Sequence, residues 1–236
     1  RKDRKMTKLE KANLSADDRL FNKNKWLFAT GGLGRDMMYG LVASYLLIYI
    51  QFGLQLTLVQ FATISLIIGV LARIWDGIND PIIGAIIEGS NLKHGKYKPW
   101  IFVGAVVCGL MTVALFTIRP QGWWFVAYIS VAYLVWETFF TMNDIGYYSM
   151  LPSLSSKDTQ RNSITHLTVF FAGLGGAIIS GIIALFTPGK LLDNYVIYAV
   201  IAAAAVILCQ SMTAFGVKEK PQKERRPKVT FKKLWH

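Results

Sequence analysis

The sequence predicts an all-α membrane protein with six transmembrane helices, and three observations predict it. Hydrophobic residues make up 53% of the 236 positions and the mean hydropathy is +0.37, high for a chain this basic. The apolar residues gather into runs of about 20, the length needed to cross the hydrocarbon core. The basic residues avoid those runs and sort to one side of them.

The first span covers residues 25–50. Its Gly31-Gly-Leu-Gly34 suits close helix packing; a phosphate-cradling loop is excluded, because no strand precedes it and no Gly-Lys-Ser/Thr follows. Neighbours on a helix point about 100° apart, so Arg35 and Asp36 are not expected to face one partner. The second span, 58–88, has an apolar first half, then Asp76-Gly-Ile-Asn79-Asp80-Pro81, where the proline removes a donor and bends the helix. The third, 100–118, starts at Pro99-Trp100, with the indole at interfacial depth. The fourth, 123–148, carries Trp136, Glu137, Phe140, Thr141, Asp144 and Tyr148. In the fifth, 164–187, Gly173, Gly175, Gly176 and Gly181 read as a packing seam and His166 as interfacial. The sixth covers 195–215.

A net charge of +12 raises nucleic-acid binding, but its distribution makes it a topology signal first and nucleic-acid binding a poor second. Of 26 Lys and Arg, 22 lie in the N-terminal tail, the second and fourth connectors and the C-terminal tail. Arg119 and Lys190 alone fall on the other side, with Arg35 and Arg73 inside spans. The positive-inside rule then puts both termini in the cytoplasm of a multi-pass plasma-membrane protein. This gives a basic tail (1–24), a six-helix bundle (25–215) and a basic linker (216–236), and the chain is expected to be a fragment or an edited form. Cys108 and Cys209 lie inside apolar spans and imply no disulfide framework. No signal peptide, zinc-ligand spacing or nucleophile–base pair is evident, so neither an enzyme nor a cofactor is expected.

Asp76 and Asp80 stand one turn apart on one helix face, with Asn79 near them. A charge in hydrocarbon costs upward of ~2.5 kcal/mol, which makes an intramembrane acid a functional-site hypothesis. Two acids and an amide oxygen suit a small hard cation, Na⁺ or H⁺. Thr141 and Asp144 share a face of the fourth span, with Glu137 two turns back. Asp144 then either completes the cation site, binds a sugar hydroxyl or neutralises Arg73 or Arg35. The connector carrying Gly95, Lys96, Lys98 and Pro99 reads either as a gate between bundle halves or as an ordinary positive-inside loop.

Arg73-Ile-Trp-Asp76-Gly-Ile-Asn79-Asp80-Pro81-Ile-Ile-Gly84, followed by Gly95-Lys96-Tyr97-Lys98-Pro99-Trp100, resembles the second span and following loop of the glycoside–pentoside–hexuronide:cation symporters. These form a branch of the major facilitator superfamily typified by melibiose permease. Gly34-Arg35-Asp36 and Thr141-Met-Asn-Asp144-Ile-Gly-Tyr-Tyr148-Ser-Met-Leu-Pro152 agree with it. The resemblance covers residues 25–215 and implies the amino-terminal half of such a fold.

It implies cation ligation, as Na⁺ or H⁺, by Asp76, Asn79, Asp80 and Thr141, with Asp144 close to the ion. It further implies sugar contact by Asp36 and Asp144, beside a basic residue at Arg35 and an aromatic at Tyr148; Trp136 and Glu137 are further candidates for the substrate site. Val169 falls where the melibiose transporter has a sugar-contacting Arg, and Phe140 where it has a Tyr. The expected function is cation-coupled symport of a sugar or glycoside other than melibiose, with the carboxy-terminal six-helix half and the bilayer as partners. The rivals are a transporter of amphipathic lipids or other solutes and a non-transporting half-transporter scaffold or sensor.

Topology is open to direct test. Single cysteines introduced near Lys96 and Lys157 should react only from the cytoplasm, and ones near Gln121 and Gly189 with an impermeant reagent from outside. The reverse pattern would refute the six-span topology.

Overall fold

A computed structural model of the chain describes residues 8–90, 92, 95–155, 157–187 and 191–219, with the backbone alone for 8–16 and 191–192. Residues 1–7, Asn91, Lys93, His94, Ser156, Pro188, Gly189, Lys190 and the linker from 220 onward lie outside the described residues. All described elements are helices: α1 (Lys8–Gly53), α2 (Leu58–Leu66), α3 (Ala72–Gly89), α4 (Lys98–Thr117), α5 (Trp123–Leu154), α6 (Asp158–Phe186) and α7 (Leu191–Gly216).

Among the described residues, five runs are long and apolar enough to cross a membrane: Leu58–Gly89, Lys98–Thr117, Trp123–Leu154, Asp158–Phe186 and Asp193–Gly216. The protein is thus a multi-pass membrane protein. The remaining expected span, the first (25–50), lies within α1, where Arg35 and Asp36 dilute the hydropathy. Its buried Met38, Leu41, Leu46 and Tyr49 nevertheless place it in the main core. The helix also extends back into the basic tail as far as Lys8, since no Gly or Pro precedes Gly31 in it.

Local chemistry sets the helix starts. Thr57 and Gln60 form a reciprocal capping box at α2: Gln60 N donates to Thr57 Oγ1 at 3.3 Å and Thr57 N to Gln60 Oε1 at 3.0 Å. Pro99 sits in the first turn of α4, where its missing N–H costs nothing. A π-helical turn at Ile67–Leu71 joins α2 to α3, so one rod runs from Leu58 to Gly89. Pro81 lies inside α3 without ending it and leaves the Gly77 carbonyl without its helical donor.

The helices alternate in direction, and each end of the bundle is tied. At one end Asn24 Nδ2 donates to Lys218 O (2.9 Å) and Lys218 N to Asn24 Oδ1 (3.0 Å). Lys98 Nζ donates to Val217 O at 2.6 Å, and Lys25 Nζ to Ser163 Oγ at 2.7 Å. At the other end Tyr49 donates to Phe116 O (2.8 Å) and accepts from Arg119 Nε (2.7 Å). Lys25, Lys98 and Lys218 therefore share one end and Arg119 lies at the opposite one, matching the charge sorting read from the sequence.

Glycines let α1 approach its two main neighbours. A Cβ at Gly34 would overlap the Ala205 carbonyl of α7, and one at Gly175 of α6 the Leu33 carbonyl of α1. The fifth-span seam is narrower than expected: Gly173, Gly176 and Gly181 have open space where a Cβ would go, because only Gly175 of the four points its Cβ position at the α1 backbone.

Overpacking a tight seam costs about 1–3 kcal/mol. Gly175→Ala should therefore lower the thermal unfolding midpoint in detergent, while Gly173→Ala leaves it unchanged. Equal midpoints for the two variants would contradict this packing.

Candidate functional site

Helices α1, α3 and α5 enclose an open-sided cavity of about 330 Å³. From α1 it receives Arg35, Asp36 and Tyr39; from α3, Arg73, Asp76 and Asp80; from α5, chiefly Glu137, Thr141, Asp144 and Tyr148. Charged groups from three helices thus converge at mid-span.

Arg35 anchors one wall and is only 6% exposed. Its Nη2 reaches Asp36 Oδ1 at 2.8 Å and Oδ2 at 3.1 Å, and its Nη1 reaches Asp144 Oδ1 at 2.6 Å. The guanidinium carbon lies 4.8 Å from the centroid of the Tyr148 ring, a cation–π distance. Helical spacing made one shared partner for Arg35 and Asp36 unexpected. The long side chain instead folds back onto its own neighbour while spanning to α5. Asp144 thus pairs with Arg35 at 2.6 Å while still lining the cavity. Tyr147 fixes the depth of the wall by stacking on Phe28 at 4.2 Å and donating to the Phe28 carbonyl.

The opposite wall belongs to α3. Arg73 Nη1 lies 3.1 Å from Asp76 Oδ2 and 4.0 Å from Glu137 Oε1. Thr141 Oγ1 donates to Asp80 Oδ1 at 3.2 Å, and Trp75 Nε1 donates to Thr138 Oγ1 at 3.0 Å, fastening α3 to α5. Asp76 Oδ1 and Glu137 Oε2 are buried without a hydrogen-bond partner. The π-helical turn one residue before Ala72 resets the phase of everything after it, and such turns recur at functional sites.

Hard carboxylate and hydroxyl oxygens, one of them unpartnered, fit a small hard cation. Among the described residues no three His, Cys, Asp or Glu cluster closely enough to hold a metal by themselves. Thr141 would therefore have to share the work with Asp76 and Asp80. Asn79 is 5% exposed and absent from the lining, so this structure does not bring it to the expected site.

Trp136 requires a correction as a substrate-site candidate. It is fully buried, donates to Thr112 Oγ1 at 3.0 Å and stacks on Phe140 at 5.2 Å, so it supports the cavity from behind. Val169 is 62% exposed on α6 and does not line the cavity, whereas Phe140 does, stacked 5.0 Å from Tyr39. Sequence reasoning missed Tyr39, although it stands three residues after Asp36 on the same helix face.

Gly95, Lys96, Lys98 and Pro99 also stand apart from the cavity. Gly95 has φ +114°, a conformation that favours glycine. A Cβ there would touch Glu219, which, with the Lys98 bond to Val217, shows that the connector grips the segment leaving α7. Burial pushes the Glu219 carboxyl up, and the nearby Lys98 ammonium pulls it down.

The MFS/sugar transport protein family matches residues 27–235. A lactose permease of Lactobacillus helveticus is 31% identical over 82% of this chain and 33% of its own length. A raffinose carrier protein of Pediococcus pentosaceus is 29% identical over 67% of this chain and 26% of its own. An isoprimeverose transporter of Lactiplantibacillus pentosus is 28% identical over 84% and 41%. The chain spans about a third of the length of the curated relatives it matches. With the acid–arginine cavity already pointing to solute binding inside a helical bundle, the chain belongs to the MFS/sugar transport protein family, in its glycoside–pentoside–hexuronide:cation symporter branch.

Proposed function

We propose that the full-length protein moves a sugar or glycoside across the plasma membrane together with a cation, by alternating access. The observation that carries this reading is the Arg35–Asp36–Asp144 cluster, which shares one cavity with the Asp76/Asp80/Thr141 oxygens. Relatives with about a third of their length aligned are named for lactose, raffinose and isoprimeverose, which supports a glycoside as the substrate class.

In this reading α1 supplies the first of six spans, both termini are cytoplasmic and the chain forms the amino-terminal half. Helices α2–α3 and α6 leave most of their apolar length exposed: only 22% and 17% of their windows are buried, against 44% for α4 and α5. Those two faces suit a second six-helix half, and the greater length of the relatives is consistent with one. The cavity would then lie between the halves near the bilayer midplane, where such transporters bind their substrates.

The chain's own groups divide the work. Asp36 and Asp144 accept from sugar hydroxyls, Arg35 donates to them and holds both acids in place, and the Tyr148 ring offers an apolar face. Asp76, Asp80 and Thr141 supply the cation's ligands, and the cation neutralises acids that would otherwise oppose closure of a dry cavity. Asp144 lies between the two sites and couples them. Val169 supplies no donor to the cavity; Arg35 does, and thereby takes the role of the sugar-gripping guanidinium.

Mutants of the intact transporter should separate the two sites. In the Asp76→Asn/Asp80→Asn double variant, Na⁺ should no longer raise sugar affinity, while cation-independent sugar binding survives. Arg35→Gln should weaken sugar binding by ~1.5–3 kcal/mol, the worth of a hydrogen bond to a charged group. Full Na⁺ stimulation in the double variant, measured by calorimetry, would refute the cation assignment.

A further inference from the structure

The two guanidinium groups of the cavity are held differently. The Arg35 side chain is 8% exposed and bonded to acids on two helices. The Arg73 side chain is 58% exposed, with one hydrogen bond to Asp76 at 3.1 Å and a looser approach of 4.0 Å to Glu137. Glu137 belongs to a helix that Arg73 does not. Its side chain is 6% exposed, and its Oε2 has no partner. A buried carboxylate oxygen without a donor is costly, so α5 presents an acceptor with unused capacity beside an exposed cationic side chain.

Titratable groups surround Glu137 from several elements. Arg73 and Asp76 approach from α3, Tyr133 on α5 comes within hydrogen-bonding range of its carboxylate, as does Asp76, Tyr39 faces the same guanidinium from α1, and Cys108 lies on α4. Among these groups Arg73 is the one permanent cation, and it already stands between the two acids. Closing the 4.0 Å gap to a charged hydrogen bond of roughly 2.8 Å needs about 1 Å of side-chain motion.

We propose that Glu137 is a positioning residue that receives the Arg73 guanidinium when the coupling cation takes Asp76, and so sets the affinity for that cation. The inference rests on the reading of Asp76 as a cation ligand. Without the ion, Arg73 is shared between Asp76 and Glu137, leaving one net negative charge on the three groups. With the ion on Asp76, Arg73 pairs with Glu137 and every charge is matched. The sugar acceptors Asp36 and Asp144 belong to the other guanidinium. Glu137 thus acts on the ion rather than on the sugar hydroxyls it was expected to bind.

The test titrates Na⁺ into purified full-length protein by calorimetry, without sugar. Glu137→Gln removes the receiving charge and leaves Arg73 committed to Asp76. Na⁺ affinity should fall about tenfold or more, the fold-change that corresponds to one charged hydrogen bond. Glu137→Asp, which keeps the charge, should recover most of that loss. Arg73→Ala placed in the Glu137→Gln background should also restore Na⁺ affinity, because the competitor is gone; a role in folding alone would predict no such rescue. Unchanged affinity in Glu137→Gln overturns the proposal, as does a loss that Arg73→Ala fails to reverse. Absence of saturable Na⁺ binding to the wild-type protein would overturn the reading of Asp76 as a Na⁺ ligand, a distinguishable result.

Discussion

A buried guanidinium is tolerable only when acids surround it, and Arg35 imposes that constraint on the whole bundle. Removing one partner of a buried ion pair typically costs about 3–5 kcal/mol, because the survivor is stranded. Asp36 is next to Arg35 in sequence, but Asp144 comes from α5. The relative placement of α1 and α5 is therefore set by an electrostatic requirement at mid-span as well as by apolar packing. The aromatic residues Tyr147 and Tyr148 then lie near the same guanidinium, at 5.6 and 4.8 Å from its carbon.

The rest of the fold makes that placement reachable. Gly34 lies directly beside Arg35 and brings α1 against the α7 backbone, and Gly175 brings α6 against the other side of α1. With α1 held from two directions, its charged face is left for the cavity. The α2–α3 rod is held more lightly, through contacts such as Trp75 with Thr138 and Thr141 with Asp80. A wall with few ties is the one suited to respond to a bound ion, and it carries Arg73, Asp76 and Asp80.

Much of this was legible in the sequence. Hydropathy located five of the six expected spans, and the sorting of basic residues matched the two ends of the bundle. Spacing of three and four residues brought Asp76, Asp80, Thr141 and Asp144 into one cavity. Other features left no such trace. Arg35 reaches Asp36 because a guanidinium sits on a long flexible stem, which Cα periodicity does not describe. Trp136 turned inward on a helix that is apolar around nearly its whole circumference, so period alone gave it no face. The π-helical turn at Ile67–Leu71 has no local residue signature, yet it sets where Asp76 and Asn79 point. Gly173, Gly176 and Gly181 looked like Gly175 in sequence, and only the packing of α1 distinguishes them.

The central claim is that one cavity binds sugar and cation through shared groups, and linkage tests it most directly. Calorimetry on the full-length protein would give sugar affinity with and without saturating Na⁺, and Na⁺ affinity with and without saturating sugar. The account predicts that each ligand tightens the other by the same factor, greater than one. Affinities for sugar and Na⁺ that are independent of one another would contradict it.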